Sequence, residues 1–279
     1  MVRHWIWSNG VFMQNKPELI CFDLDGTLYQ DRVIYPRIIT HFFEDTPYRD
    51  WIGEVQETIE ACLQGQGPLR CGQFVPKQKA EAPQSVRELF AVPAETALLL
   101  PDPAPYLDRS RYSYLCDGWT FSMYLARRIG WEGEAFWTRF RRARKDLVNP
   151  AYGPAPDQAL VDVLAGLRRA GIRLVLCSNA AEQGGRELLD YLGLSDSFDA
   201  ILFDADKPHS FPQRIRDWGV SPDKVLFIGD QGYYDLYAGA GRGAATWLLS
   251  PYEVADAALW DVRLHTLEEL KEALKDWTA

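Results

Sequence analysis

The sequence predicts an α/β fold, a parallel sheet wrapped by helices, with a mainly helical domain inserted just after the first strand. Two observations carry this. Strand-length apolar runs at 19–22, 172–177, 200–203, 224–229 and 244–249 alternate in the second half with helical patterns near 182–192, 208–218, 232–241 and 266–276. That is the rhythm of strand, crossover helix and parallel strand. From about Tyr35 to Asn149 the rhythm is suspended, and aromatic-rich helical patterns follow one another without it. Residues 1–35 and 150–279 are therefore expected to form the α/β core, and residues 36–149 the inserted domain.

The elements follow in order. Trp5, Trp7, Val11 and Phe12 flank Ser8-Asn9-Gly10, a pattern for a small hairpin with Asn-Gly in its turn. The first strand is the run Leu19 to Phe22. Within the insertion, helices are expected over Trp51 to Leu63, Val86 to Phe90, Trp119 to Ile129 and Glu134 to Leu147. The stretches Gly65 to Pro83 and Pro93 to Pro105, rich in Pro, Gly and Gln, read as long loops. Asn149 to Pro156 is a stiff connector, after which Asp157 suits the N-cap of a helix over Gln158 to Ala170 and Gly171 its stop. Arg139 to Lys145 is the sharpest charge run, either a solvated helical face or a surface that attracts an anion. The aromatics Trp119, Phe121, Tyr124, Trp131, Phe136 and Trp137 read chiefly as core of the insertion.

Composition excludes several function classes. The chain has 279 residues, 47% of them apolar and 25% charged, which suits one large or two modest cores. Its net charge of -9 argues against a nucleic acid or an anionic membrane held by bulk charge. The cysteines at 21, 62, 71, 116 and 177 form no CxxC pair, which reads as a reducing compartment. No uncharged apolar run approaches the roughly 20 residues needed to span a bilayer. The first residues hold too short an apolar stretch for a signal peptide, so a cytoplasmic protein is expected. The sequence leaves the oligomeric state open.

The first strand stops at Asp23-Leu24-Asp25-Gly26-Thr27-Leu28. In a regular strand Asp23 and Asp25 would point to one face, and two such charges repel unless something screens them. A divalent cation would do so, and Gly26 permits a sharp turn. This Asp-x-Asp-Gly-Thr-Leu segment resembles the first motif of the haloacid dehalogenase superfamily. Three further segments resemble the remaining motifs, in order: Leu174 to Asn179, a strand ending in Ser178; Lys207-Pro208; and Ile228-Gly229-Asp230 followed by Asp235. The resemblance, to the phosphoglycolate-phosphatase-like members with a helical cap after the first motif, implies a Rossmann-like core in which the insertion is the cap.

It also implies roles. Asp23 would be the nucleophile and form an aspartyl-phosphate. Asp25 would protonate the leaving alcohol and then deprotonate water. Members that dehalogenate lack a carboxylate there, so its presence favours phosphoryl chemistry. Ser178 and the backbone at Asn179 would hold phosphate oxygens, although a helix N-cap explains the serine equally well. Lys207 would neutralise the phosphate. Asp23, the main-chain carbonyl of Asp25 and Asp230 would hold Mg²⁺, an all-oxygen set that suits it, with Asp235 behind them positioning a water or Lys207. The expected activity is magnesium-dependent hydrolysis of a small phosphorylated metabolite. A phosphomutase using the same residues, and a phosphate-binding regulatory module without turnover, remain alternatives.

Overall fold

The structure, a computed structural model, describes residues 16–30, 33–77, 79–80, 82–92, 110–256 and 259–278. The hairpin expected around Asn9-Gly10 and the loop expected over Pro93 to Pro105 lie outside these residues. The described chain divides into two compact units. The first holds residues 16–30, Pro154–Pro251 and 259–278; the second holds 33–153 together with Tyr252–Asp256.

The first unit is built on a six-stranded sheet: β1 (Leu19–Phe22), β4 (Arg173–Cys177), β5 (Ala200–Leu202), β6 (Val225–Gly229), β7 (Ala245–Leu249) and β8 (Val262–Leu264), in the order β5-β4-β1-β6-β7-β8. Every neighbouring pair is parallel. β1 and β6 are buried along their whole length, as strands covered on both faces must be, and this is why they read as unbroken apolar runs. β1 pairs with β4 through Phe22 opposite Leu176 and with β6 through Phe22 opposite Ile228. The chain builds outward from β1 on one side through β4 and β5, then returns to the other side for β6, β7 and β8. The strand order therefore reverses at β1, and the crevice beyond the carboxyl ends of β1, β4 and β6 is the place where such sheets bind ligands.

The helices α6 (Gln158–Arg169), α7 (Glu182–Leu192), α8 (Phe211–Asp217), α9 (Tyr237–Ala240) and α10 (Leu267–Lys275) belong to this unit. Asp157 caps α6 by accepting from the Leu160 amide at 3.1 Å. Gly171 takes φ +81°, the left-handed conformation that ends the helix without a side-chain penalty. Asp157 also receives the Lys271 ammonium at 2.6 Å, which fastens α6 to α10. The sequence gives no expectation of β8: three residues between Asp261 and His265 carry too little periodicity to read as a strand.

The second unit contains α1 (Ile34–Phe43), α2 (Ile52–Leu63), α3 (Val86–Phe90), α4 (Gly118–Arg128), α5 (Gly133–Asp146) and an antiparallel pair, β2 (Gln73–Pro76) with β3 (Tyr112–Leu115). β2 lies inside a stretch whose Pro, Gly and Gln content reads as loop. Its four residues are buried, so tertiary packing overrides the local signal. Asp117 caps α4 in a reciprocal box with Thr120, and Gly118 lies where a Cβ would stand 2.3 Å from the Tyr35 ring, so the start of α4 admits no side chain. Phe121, Tyr124 and Phe136 are buried among these helices.

The basic run on α5 is engaged within its own unit. Arg139 lies over the Trp131 ring at 3.5 Å, Arg142 pairs with Glu44 at 3.1 Å and Arg141 bonds Glu134. These three contacts agree with the solvated, ion-paired face among the two readings of the run. The sequence reading also left Tyr252–Asp256 in the core. The structure places these residues in the second unit, where the Glu253 amide donates to Leu63 O at 2.9 Å and the Ala255 amide to Cys71 O at 3.0 Å. The Tyr114 hydroxyl donates to Asp256. Gly72, at φ +88°, admits this segment: a Cβ there would stand 2.9 Å from the Asp256 nitrogen.

Candidate active site

The site is assembled at the carboxyl ends of three strands of the first unit. Asp23 follows β1, and its amide donates to Ile228 O of β6 at 2.9 Å, which extends the ladder one residue past the strand and fixes where the side chain leaves. The chain then turns. The Leu24 carbonyl accepts from the Thr27 and Leu28 amides at 3.3 and 3.0 Å, and Gly26 takes φ +78°. A Cβ on Gly26 would stand 2.4 Å from Asp230 Oδ2, so the glycine serves both the turn and the close approach of that carboxylate.

Asp230 follows β6. Next comes a π-helical turn, Gly232–Leu236, which carries Asp235 back to the same place. Such turns widen a helix by one residue and are frequent at functional sites. The Asp235 carboxylate accepts from the Gln231 amide at 3.0 Å, and Gly229 makes room for it, since a Cβ there would stand 2.3 Å from Asp235 Cβ.

Lys207 arrives from the loop after β5. Asp204 and Asp206 in this loop take φ +46° and +51°, a conformation that costs an L-residue roughly 1 kcal/mol each and that Asp tolerates better than most. Local hydrogen bonds hold it: the Asp204 amide to Ala180 O at 2.9 Å, and the Ala205 amide to Ser178 O at 3.1 Å. The side chain of Asn179 clamps Lys207 itself, Oδ1 accepting from the Lys207 amide at 2.7 Å and Nδ2 donating to its carbonyl at 3.4 Å. The structure thus gives Asn179 a task that its sequence position did not suggest. Ser178 Oγ accepts from the Ala180 amide at 3.0 Å, a local turn that leaves its hydroxyl proton to be donated elsewhere.

Lys207 Nζ donates to Asp23 Oδ1 at 2.5 Å and to Asp235 Oδ1 at 2.6 Å. All three groups are buried: Lys207 is 2% exposed, Asp23 7% and Asp235 4%. Burial works to lower the Lys207 ammonium, but the charges of Asp23 and Asp235 overcome it and hold the group well above its ordinary value. Burial pushes the Asp23 carboxyl up to about 8, with Lys207 opposing and the charges of Asp235 and Asp25 adding to the shift. One lysine does not neutralise so many carboxylates.

Asp23, Asp230 and Asp235 offer oxygens that lie within 4.8 Å of one another. A buried, all-oxygen set with surplus negative charge suits a hard divalent cation. The missing side chain at Gly26 lets the Asp230 carboxylate lie close against the turn after β1. The set includes Asp235, which the sequence reading placed behind the ligands. The Asp25 side chain is not among its members, and the role expected for Asp25 runs through the main-chain carbonyl instead; the strand ends at Phe22 and the turn has begun before Asp25, so the alternation that would put Asp23 and Asp25 on one face no longer applies. Its Oδ1 instead accepts from the Tyr29 hydroxyl at 2.7 Å.

A family model for haloacid dehalogenase-like hydrolases matches residues 17–243. This chain belongs to that family. The match takes in the strands β1, β4, β5 and β6 and the residues Asp23, Asp25, Ser178, Asn179, Lys207, Asp230 and Asp235. A phosphoglycolate phosphatase of Aquifex aeolicus is 32% identical over 108 residues, 37% of this chain, and the chain spans half the length of that curated relative. Among solved structures, the magnesium-bound YfnB of Bacillus subtilis aligns over 94% of this chain and 100% of its own, at 16% identity and a TM-score of 0.51. An HAD family hydrolase of Deinococcus radiodurans R1, with bound phosphate and sodium, covers 94% and 97% at 16% identity and a TM-score of 0.51. At such identities these structures speak for the fold. No helix among the described residues is long and apolar enough to cross a membrane.

Proposed function

We propose that this hydrolase is a magnesium-dependent phosphomonoesterase that acts on a small phosphorylated metabolite in the cytoplasm. The carrying observation is the buried convergence of Asp23, Asp230 and Asp235 around Lys207 at the point where the strand order reverses. Similarity to a phosphoglycolate phosphatase, the bound magnesium of YfnB and the phosphate of the Deinococcus protein agree with this reading.

Asp23 and Asp230 would hold Mg²⁺ through their side chains and Asp25 through its main-chain carbonyl, with Asp235 beside them. The cation supplies charge neutralisation, so that an anionic nucleophile and an anionic phosphate can meet. A carboxylate oxygen of Asp23 attacks phosphorus, the ester P–O bond breaks, and Asp25 gives its proton to the departing oxygen. Water then attacks the aspartyl-phosphate, Asp25 takes up the proton, and phosphate leaves with Asp23 regenerated. Lys207 holds a phosphoryl oxygen and offsets the charge that accumulates in both steps. Ser178 donates its hydroxyl proton to a second oxygen, and the Asn179 backbone to a third.

The second unit, with boundaries near 36 and 149, acts as the cap and selects the substrate, since all the groups assigned to phosphate and metal lie in the first. A screen of phosphorylated metabolites with Mg²⁺, repeated with Asp23→Asn, tests the proposal. Release of phosphate that depends on Mg²⁺ and disappears in Asp23→Asn is expected. Turnover that persists in that variant, or in excess chelator, would reject the mechanism.

A further inference from the structure

The turn after β1 carries a tyrosine that the proposed reaction does not use. Tyr29 lies four residues after Asp25, is 4% exposed, and donates its hydroxyl to Asp25 Oδ1 at 2.7 Å. The ring is held firmly. Leu28 before it is buried and anchored through its amide to Leu24 O at 3.0 Å. Gln30 after it donates to His265 O at 3.1 Å and accepts from the Leu267 amide at 3.0 Å. Asp25, by contrast, is half-buried, and its charge acts on Asp23 although its side chain is not one of the three converging carboxylates.

A carboxyl group turns easily about its last torsion, which has broad and roughly two-fold preferences. A general acid must nevertheless keep one oxygen within hydrogen-bond reach of the atom it protonates. A phenol suits the task of holding the other oxygen. It donates to Oδ1 when Asp25 is charged, and it goes on donating to the same oxygen when the proton sits on Oδ2, ready for delivery. The contact therefore survives both halves of a cycle in which Asp25 gives up a proton and takes one back. Unlike a lysine or arginine, a phenol does this without adding charge beside the leaving group.

On the phosphatase reading given above, we infer that Tyr29 is a positioning residue for Asp25: by pinning Oδ1 it sets where Oδ2 meets the leaving oxygen. Proton delivery matters most when the leaving group is a poor one, so the dependence on Tyr29 follows the leaving group rather than the phosphate. The sequence gives a simple signal for it, a tyrosine four residues past the acid in a tight turn.

The test measures kcat/KM with Mg²⁺ for the wild-type protein, Tyr29→Phe and Asp25→Asn on two esters. β-Glycerol phosphate releases an alcohol that needs the proton, whereas p-nitrophenyl phosphate releases a phenolate that leaves without it. Tyr29→Phe is expected to lose about tenfold on the alkyl ester, a part of the 10²–10⁴ that general acid catalysis supplies. On the nitrophenyl ester it should lose less than about twofold, and Asp25→Asn should show the same pattern more strongly. The ratio between esters within one preparation does not depend on the fraction folded, and Tyr29→Leu, which also lacks the hydroxyl, provides a second reading if Tyr29→Phe folds poorly. Equal losses on both esters, or no loss on either, would overturn the role of Tyr29 while leaving the phosphatase reading intact. A wild-type protein that hydrolyses neither ester nor any phosphorylated metabolite would reject that reading, and this role with it.

Discussion

Metal-free protein should lose stability as pH rises from 5 to 8, and Asp23→Asn should remove most of that loss. In the folded chain burial pushes the Asp23 carboxyl up to about 8, against an ordinary value of 3.8. The sign follows from proton counts. Between these two values the folded state holds a proton on Asp23 that the unfolded state has released, so raising the pH favours unfolding. A shift of about four units corresponds to roughly 5 kcal/mol, and water entry around an ionised carboxylate returns part of it. We expect a net loss of about 2–4 kcal/mol over this window. An asparagine keeps the shape of Asp23 and its hydrogen-bonding capacity without a titrating charge, so the variant should be flat in the same range and more stable than the wild-type protein at pH 8. Urea denaturation in excess chelator at pH 5, 6, 7 and 8, followed by far-UV circular dichroism, measures both slopes. Added Mg²⁺ should restore stability to the wild-type protein at pH 8 and have much less effect on the variant. Identical pH slopes for the two proteins would mean that Asp23 is not held in surplus negative charge, and the electrostatic basis for the cation site would fall.

Two further outcomes are expected. Gly26→Ala places a methyl group 2.4 Å from Asp230 Oδ2 at a backbone φ of +78°, so it should cost about 1–2 kcal/mol in backbone strain and also displace that carboxylate. Mg²⁺ titration of activity should show at least about tenfold weaker binding, and unchanged affinity would contradict the assignment of Asp230 to the cation. Tyr114→Phe removes the hydroxyl that donates to the buried Asp256, and a hydrogen bond to a charged group contributes about 1.5–3 kcal/mol. Calorimetry should show the melting of the second unit shifted down, with kcat/KM little changed when measured well below that temperature; an unshifted transition would refute the stabilising role of this contact.

Much of the candidate site was legible because the residues to which we assign the chemistry also end strands. Asp23 and Asp230 stand where apolar runs stop, and a buried parallel strand leaves no ambiguity about such a run. Lys207 could be placed only by its order among the other motifs, because a lysine in a loop has no periodicity to betray it. What reading along the chain missed were partnerships across it. The backbone at Asn179 reads as a phosphate donor beside Ser178, but nothing in the sequence shows that the Asn179 side chain holds both polar groups of the Lys207 backbone. Asp235 looked like a supporting residue, yet the π-helical turn brings it within 4.8 Å of both Asp23 and Asp230. Nothing in the pattern Gly232 to Leu236 distinguishes that turn from the start of an ordinary helix.

The same limit explains the segment Tyr252–Asp256. It follows β7 and precedes β8, so a reading in chain order keeps it in the core, whereas its backbone hydrogen bonds go to Leu63 and Cys71 of the second unit. These bonds depend on Gly72, whose positive φ and missing side chain let the two backbones approach, and neither property reveals its partner from 180 or so positions away in the sequence. The consequence bears on the proposed cap. An insertion joined to its core only near residues 32 and 153 would have one pair of connections to turn about, but this chain also crosses between the units on either side of Tyr252–Asp256. The chain therefore passes between the two units just after β7 as well as at the two ends of the insertion, more than 90 residues beyond the nearer of them.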